Sequence, residues 1–217
     1  MSRAPLCLEP EALASVDSAL TTTRAIRRRL DLSRPVPRSL LREALQVAHQ
    51  GPSGGAEEPI RWVVVTDSET RRRIGEVYRR AYRDLDAERP APRGPGAERI
   101  LRVRASSAYL ARIMPEVPVQ VLVCSAGPAP EGGHGALAAK FYGSVYPAVW
   151  SLQVALRARG LGSCLTTVGL RREQELTAAA GLATGWTCCA LVPVAQMTGS
   201  DLGPAPRGPL NEVTRWI

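Results

Sequence analysis

Apolar residues recur along the chain with helical and extended periods, and the period assigns the elements. After Pro37, Leu40, Leu41, Ala44, Leu45, Val47 and Ala48 return every three or four positions until Gly51. This predicts an amphipathic helix with proline in its first turn and a glycine stop. Residues 68–85 repeat the helical pattern with heavy charge, and residues 89–96, five of them proline or glycine beside two arginines, form a loop. A further helix is predicted over about 97–113, ended by Pro115, and a short one over about 171–180. Residues 60–66, 117–124 and 188–195 are short, nearly continuous apolar runs bounded by turn residues, the pattern of buried strands. Residues 1–20 form a weakly apolar lead-in in which residues 10–14 open a short helix, and 127–135 is a turn-rich break.

One helix, over about residues 144–159, carries the strongest architectural signal. Val145, Tyr146, Ala148, Val149, Trp150, Leu152, Val154, Ala155 and Leu156 cover nearly its whole circumference, as in a helix buried on all sides. Arg157 and Arg159 complement its C-terminal dipole and Gly160 caps it. Three strands interleaved with longer helices predict an α+β or α/β layer around this central helix. No internal repeat is visible.

Length and composition narrow the class. At 217 residues the chain is one domain by size, and 45% hydrophobic with 22% charged residues excludes a disordered or collagen-like chain. Pro115, Pro118, Gln120, Gly127 and Gly132 break the most apolar stretches, so no membrane span is expected. Glu9, Glu11 and Asp17 interrupt the region where a secretory leader needs an apolar run, which makes the cytoplasm the expected location. Of the five cysteines, all but Cys7 (Cys124, Cys164, Cys188 and Cys189) lie among apolar residues and read as buried small hydrophobes. With no Cys-x-x-Cys pair, and with His49 and His134 remote from other ligand types, no metal site is expected.

Charge points toward an anion. Twenty-eight basic against twenty acidic residues give +8, and every basic residue except Lys140 is arginine. The arginines are scattered apart from Arg27 to Arg29 and Arg71 to Arg73, and only 5% of residues are aromatic, so nucleic acid is not expected and a phosphate-bearing small molecule is favoured. Three segments carry candidate chemistry. Residues 23–29 present guanidiniums suited to phosphate or carboxylate. Residues 52–55 combine a serine hydroxyl with glycines that permit close backbone approach. Residues 165–167 follow the central helix through a tight Gly160 to Gly162 turn and offer successive N–H groups and hydroxyls.

Over about residues 20–217 these segments occur in the order and context of one family, and the chain resembles the nitroreductase family of FMN-dependent oxidoreductases. Residues 24–27 match its Arg-Ser-x-Arg element, and residues 52–60 match its Pro-Ser-x-x-Asn-x-Gln-Pro-Trp loop. Residues 144–167 are similar to its central helix and flavin-contacting turn, while 191–194 and 206–209 are similar to its last core strand and C-terminal arginine element.

The resemblance implies an α+β, three-layer sandwich with an antiparallel-rich sheet, made as an intertwined homodimer with FMN at the subunit interface. It divides the chain into a lead-in (1–20), an FMN-binding domain (21–198) with a variable lid at about 78–114, and a tail (199–217) packing on the partner subunit. Arg24 and Arg207 would hold the phosphate, with Ala25 beside Arg24. Arg27 would lie near N1 and O2 of the ring, where its charge stabilises the anionic reduced flavin. Pro52, Ser53, Gly54 and Glu58 would approach from the other subunit. Leu165, Thr166 and Thr167 would face the ring edge, with Thr167 near N5 as the catalytic contact. Tyr78, Tyr82 and Arg83 are the expected substrate contacts in the lid.

The activity implied is ping-pong hydride transfer from NADH or NADPH to FMN and on to a nitroaromatic or quinone-like acceptor. The alternatives are a flavin-dependent oxidase or dehydrogenase of a secondary metabolite, and a dimeric binding protein that has lost flavin. Ala25, Ala56 and Ile60 stand where the family has serine, asparagine and tryptophan, and each lost hydrogen bond to a charged group costs about 1.5–3 kcal/mol. Glu58 and the Thr166, Thr167 pair lean toward the deiodinase-like branch. That branch's Glu, Tyr and Lys set is not matched in spacing by Glu76, Tyr78, Tyr82 or Lys140, so halotyrosine specificity is not implied.

Overall fold

The computed structural model describes residues 8–132, 135–182, 184–199 and 202–217; Cys7 and His134 lie outside them. The chain forms α1 (Pro10–Thr22), β1 (Leu30–Asp31), α2 (Arg38–Ala48), β2 (Ile60–Val65), α3 (Ser68–Glu88), α4 (Ala97–Ile113) and β3 (Val119–Ala126). It continues with α5 (Gly135–Gly143), α6 (Tyr146–Ala158), β4 (Leu161–Ser163), α7 (Glu173–Ala180) and β5 (Trp186–Met197). Among the described residues no helix is long and apolar enough to cross a membrane.

All five strands join one sheet, and every strand pairing is antiparallel. β5 is its longest member, pairing with β3, β4 and β1, while β3 also pairs with β2. Between Val123↔Ala190 and Cys124↔Cys188 the register shifts, so Cys189 is an extra residue on β5. This bulge turns Cys189 and Ala190 to one face of the sheet, while Cys188 and Leu191 go to the other.

The two faces bury separate cores. Ile74, Val77, Leu110, Ile113 and Leu176 from α3, α4 and α7 cover one face, against Leu122, Cys124 and Leu191. Leu41, Ala44, Val149, Leu152 and Leu156 from α2 and α6 cover the other, against Val121, Val123 and Val192. The result is the expected three layers of helices, sheet and helices. Two glycines set close approaches within them. A Cβ on Gly51 would lie 2.7 Å from the Ala148 backbone, so the loop after α2 rests on α6; one on Gly162 would meet Met197, Ile26 and Leu30 at 2.9–3.1 Å.

Several sequence expectations change. The lead-in helix extends to thirteen residues, yet α1 buries none of them and exposes Leu13, Val16 and Leu20. β1 and β4 are too short for periodicity to register, and α5 begins where the predicted break ends, in a stretch given no element because its small apolar residues carry no clear face. The central helix is not buried all round. Val149, Leu152 and Leu156 are fully covered, but Trp150 remains 44% exposed, because the other elements of the chain pack against only part of its circumference. Cys124, Cys164, Cys188 and Cys189 are buried as expected.

Candidate cofactor site

The chain leaves α1 through Thr23, whose hydroxyl donates to the Ala19 carbonyl at 2.6 Å and ends the helix. Ile26 N–H then donates to Ser163 O at 2.8 Å, fixing this extended segment beside β4. Thr23, Ile26 and Leu30 turn inward and Arg24, Ala25, Arg28 and Arg29 outward, with Arg27 half-buried between them. Arg24 Nη1 donates to Gly203 O at 3.3 Å. Arg28 covers the Tyr109 ring with its guanidinium carbon 5.4 Å from the centroid.

The turn after β4 is held on three sides. Thr166 exchanges two 2.9 Å backbone hydrogen bonds with Leu191 of β5. Its buried hydroxyl accepts from Val168 N–H at 3.3 Å and shares a 3.0 Å hydrogen bond with the Tyr78 hydroxyl of α3. Leu165 packs toward the α2 and α6 layer, and Thr167 is exposed, its carbonyl accepting from Leu170 N–H at 3.0 Å. Burial pushes the Tyr78 hydroxyl up to about 12, against the opposing effects of the Thr166 hydrogen bond and the Arg27 charge. Burial likewise raises the Cys164 thiol, and Arg27 again opposes it by charge and hydrogen bonding. Arg27, Tyr78, Cys164 and Thr166 therefore form one polar cluster at the edge of the first core.

The glycine-rich loop is built on the opposite layer. Gly54 N–H donates to Ser144 Oγ at 2.9 Å, and that hydroxyl donates to Lys140 O at 2.8 Å. Ser53 Oγ donates to Glu57 O, Lys140 Nζ pairs with Glu57 Oε1 at 3.2 Å, and Arg61 Nη1 donates to Glu58 O at 2.7 Å. Pro52 and Glu58 are exposed. Beside the loop, Glu57, Pro59, Pro128, Lys140, Phe141 and Ser144 border a cavity of about 290 Å³.

The structure thus brings Arg24, Arg27, Thr166 and Thr167 onto adjacent segments, with Ala25 exposed among them. Pro52, Ser53, Gly54 and Glu58 sit on the other side of the sheet. Arg207 is exposed in the tail, which Arg24 meets four residues earlier at Gly203. Two expectations are corrected. Tyr78 and Tyr82 are not lid surfaces, since they are 1% and 6% exposed within the α3 core, Tyr82 donating to Arg104 O at 3.2 Å. Their positions, i and i+4, place them on the apolar stripe of α3 with Ile74 and Ala81. Arg83, next to that stripe, is exposed. Sequence reasoning assigned no role at the loop to Ser144 or Lys140. The spacing of four residues within one helical turn was the available signal.

The donor set fits a flavin mononucleotide. Among the described residues neither Arg24 nor Arg27 has a carboxylate within ion-pairing distance, whereas Arg34, Arg72, Arg80, Arg159, Arg171 and Arg172 all do. Two cations without counterions beside a turn of backbone amides and hydroxyls are chemistry suited to a phosphate and a polar ring edge.

Comparisons with known proteins agree. Iodotyrosine deiodinase bound to FMN and 3-iodo-L-tyrosine is similar at 25% identity and TM-score 0.67, over 88% of this chain and 92% of that one. The FMN-dependent nitroreductase NfnB of Mycobacterium smegmatis, in complex with NADPH, superposes with TM-score 0.72 at 17% identity, over 95% and 99%. A BluB-like flavoprotein of Clostridium difficile 630 gives 0.70 at 16%, over 93% and 98%. The nitroreductase family model matches residues 20–196. The match spans most of the chain and the fold agrees with it, and the chain belongs to the nitroreductase family of FMN-dependent oxidoreductases.

Proposed function

We propose that two copies of this chain hold two FMN molecules between them and use them to carry hydride from NADH or NADPH to a small nitroaromatic or quinone-like acceptor. The observation that carries the reading is the split of the donor set. Arg24, Arg27, Thr166 and Thr167 lie with one layer, and Pro52, Ser53 and Gly54 with the other, so a second copy is the natural way to bring both sets to one ligand.

In this reading Arg24 and Arg207 neutralise the phosphate, with Ala25 exposing the adjacent backbone. Arg27 places fixed positive charge beside the pyrimidine edge of the ring, where it favours negative charge. Thr166 and Thr167 present hydroxyl and N–H groups to the edge that carries N5, beside Leu165. Pro52, Ser53, Gly54 and Glu58 of the second copy cover a ring face, held by the Ser144 and Lys140 hydrogen bonds. When bound, FMN supplies the two-electron chemistry.

The unpartnered apolar surface supports the dimer. Leu13, Val16 and Leu20 of α1, Trp150 of α6, and Leu210, Val213, Trp216 and Ile217 of the tail are all exposed in one protomer. A groove of about 440 Å³ between α2 and edge strand β2, lined by Val36, Leu41, Leu45 and Val64 with Arg38 and Arg42, is a site the second copy's tail can fill. It matches that tail in apolarity.

The test is anaerobic mixing of the flavin-loaded protein with NADH and with NADPH. Bleaching of the flavin band, then recolouring by a nitroaromatic or quinone, is expected. Flavin that neither nicotinamide bleaches would favour a metabolite oxidase or dehydrogenase instead.

A further inference from the structure

The Tyr78 hydroxyl is out of place in an otherwise apolar setting. Its helix, α3, packs Ile74, Val77 and Ala81 into the first core, and Tyr78 itself is 1% exposed with its ring near Gly169 and Leu176. Phenylalanine would serve that packing without burying a polar oxygen, which costs stability unless the oxygen is hydrogen-bonded. The hydroxyl's hydrogen-bond partner is Thr166 Oγ1 at 3.0 Å, and the nearby guanidinium belongs to Arg27. One buried oxygen is thus bonded to the threonine turn, with the charge of the arginine segment nearby.

We propose that Tyr78 is a positioning residue, bracing Thr166 against α3 so that the threonine turn facing the flavin keeps a fixed place. The proposal rests on the cofactor reading above. Thr166 Oγ1 already accepts from Val168 N–H, so its bond to Tyr78 fixes the hydroxyl's rotamer and with it the approach to Thr167. α3 is a rigid support for this contact. Gly75 packs directly on Pro115, and the pairs Arg80 to Glu175 and Arg172 to Asp84 tie the helix to α7 and the turn before it. Removing the Tyr78 oxygen therefore loosens the turn without emptying the core.

The experiment compares wild type, Tyr78→Phe, Thr166→Val and the double variant for melting temperature, FMN dissociation constant and midpoint potential of the bound flavin. Tyr78→Phe is expected to weaken FMN binding about three- to tenfold, the worth of one net hydrogen bond. It should also shift the midpoint potential in the negative direction, because the loosened turn then presents its N–H and hydroxyl groups less well to negative charge on the ring. Thr166→Val should reproduce both effects, the double variant should add little, and Thr166→Ser, which keeps the hydroxyl, should stay near wild type. Near-isosteric Thr166→Val supplies the measurement should Tyr78→Phe fold poorly. A lowered melting temperature with unchanged FMN affinity and potential assigns Tyr78 a purely structural role and overturns the proposal. Wild-type protein that binds no FMN overturns the cofactor reading and this proposal together, so the two failures are distinct.

Discussion

The Arg24 guanidinium donates to the carbonyl of Gly203, 3.3 Å away and 179 positions later in the chain. That contact joins the segment bearing Arg27 to the start of the tail bearing Arg207, which is the convergence a shared phosphate site needs. In the proposed reading, removing either guanidinium takes a charge-assisted hydrogen bond from the phosphate. Arg24→Ala and Arg207→Ala should each weaken FMN binding by about 1.5–3 kcal/mol, roughly ten- to a hundredfold. Quenching of FMN fluorescence reads the loss directly. If both arginines hold one phosphate, their effects will not add, so the double variant should lose less than the product of the single losses.

A second prediction concerns the loop that carries Ser53 and Gly54. Because a Cβ at position 51 would sit 2.7–2.9 Å from Ala148 backbone and side-chain atoms, Gly51→Ala forces the loop off α6. Overpacking of this kind costs about 1–3 kcal/mol, to be read by thermal or urea unfolding. Adding Ala148→Gly removes the methyl and should restore part of the loss. A Gly51→Ala variant as stable as wild type would mean that the loop does not lie on the helix.

Tyr78 also predicts an alkaline effect. Its hydroxyl is raised from the ordinary value of 10 to about 12 in the folded chain, so the folded state keeps a proton that the unfolded state has lost. The tyrosine therefore contributes its full stability below pH 10 and loses it progressively between pH 10 and 12. Tyr78→Phe should flatten the decline of unfolding free energy over that window by up to roughly 2.7 kcal/mol, read by urea unfolding, and an unchanged slope would contradict the burial of the hydroxyl.

The tail supplies a fourth prediction. Leu210, Val213, Trp216 and Ile217 are among the most exposed apolar residues of the protomer. Ending the chain after Gly203 should shift sedimentation from dimer to monomer and reduce FMN binding together. A truncated chain that stays dimeric would place the main contact elsewhere, on α1 or α6.

How far the sequence reached follows from where its signals are local. α2 shows a clear apolar stripe, and β2, β3 and β5 are apolar runs longer than the turns around them, so periodicity found them. β1 and β4 are two- and three-residue strands that exist only because β5 is long enough to pair with both. No local pattern encodes them. At the site, the arginine segment, the glycine loop and the threonine turn were legible as chemistry. Tyr78 was legible as a residue but not as a role, because its place 3.0 Å from Thr166 joins positions 88 residues apart. Trp150 was legible as apolar, but an apolar circumference does not say what covers it, and within one chain it stays exposed.

The central claim is that this chain, as a dimer, binds FMN through arginines and threonines of one protomer and the glycine loop of the other. Titration of the purified dimer with FMN, followed by quenching of flavin fluorescence and by light scattering, tests it most directly. Saturation at one FMN per chain, abolished jointly by Arg27→Ala and by replacement of Gly54, is the expected result. A protein that stays colourless and leaves FMN fluorescence unquenched at every ratio would contradict the account.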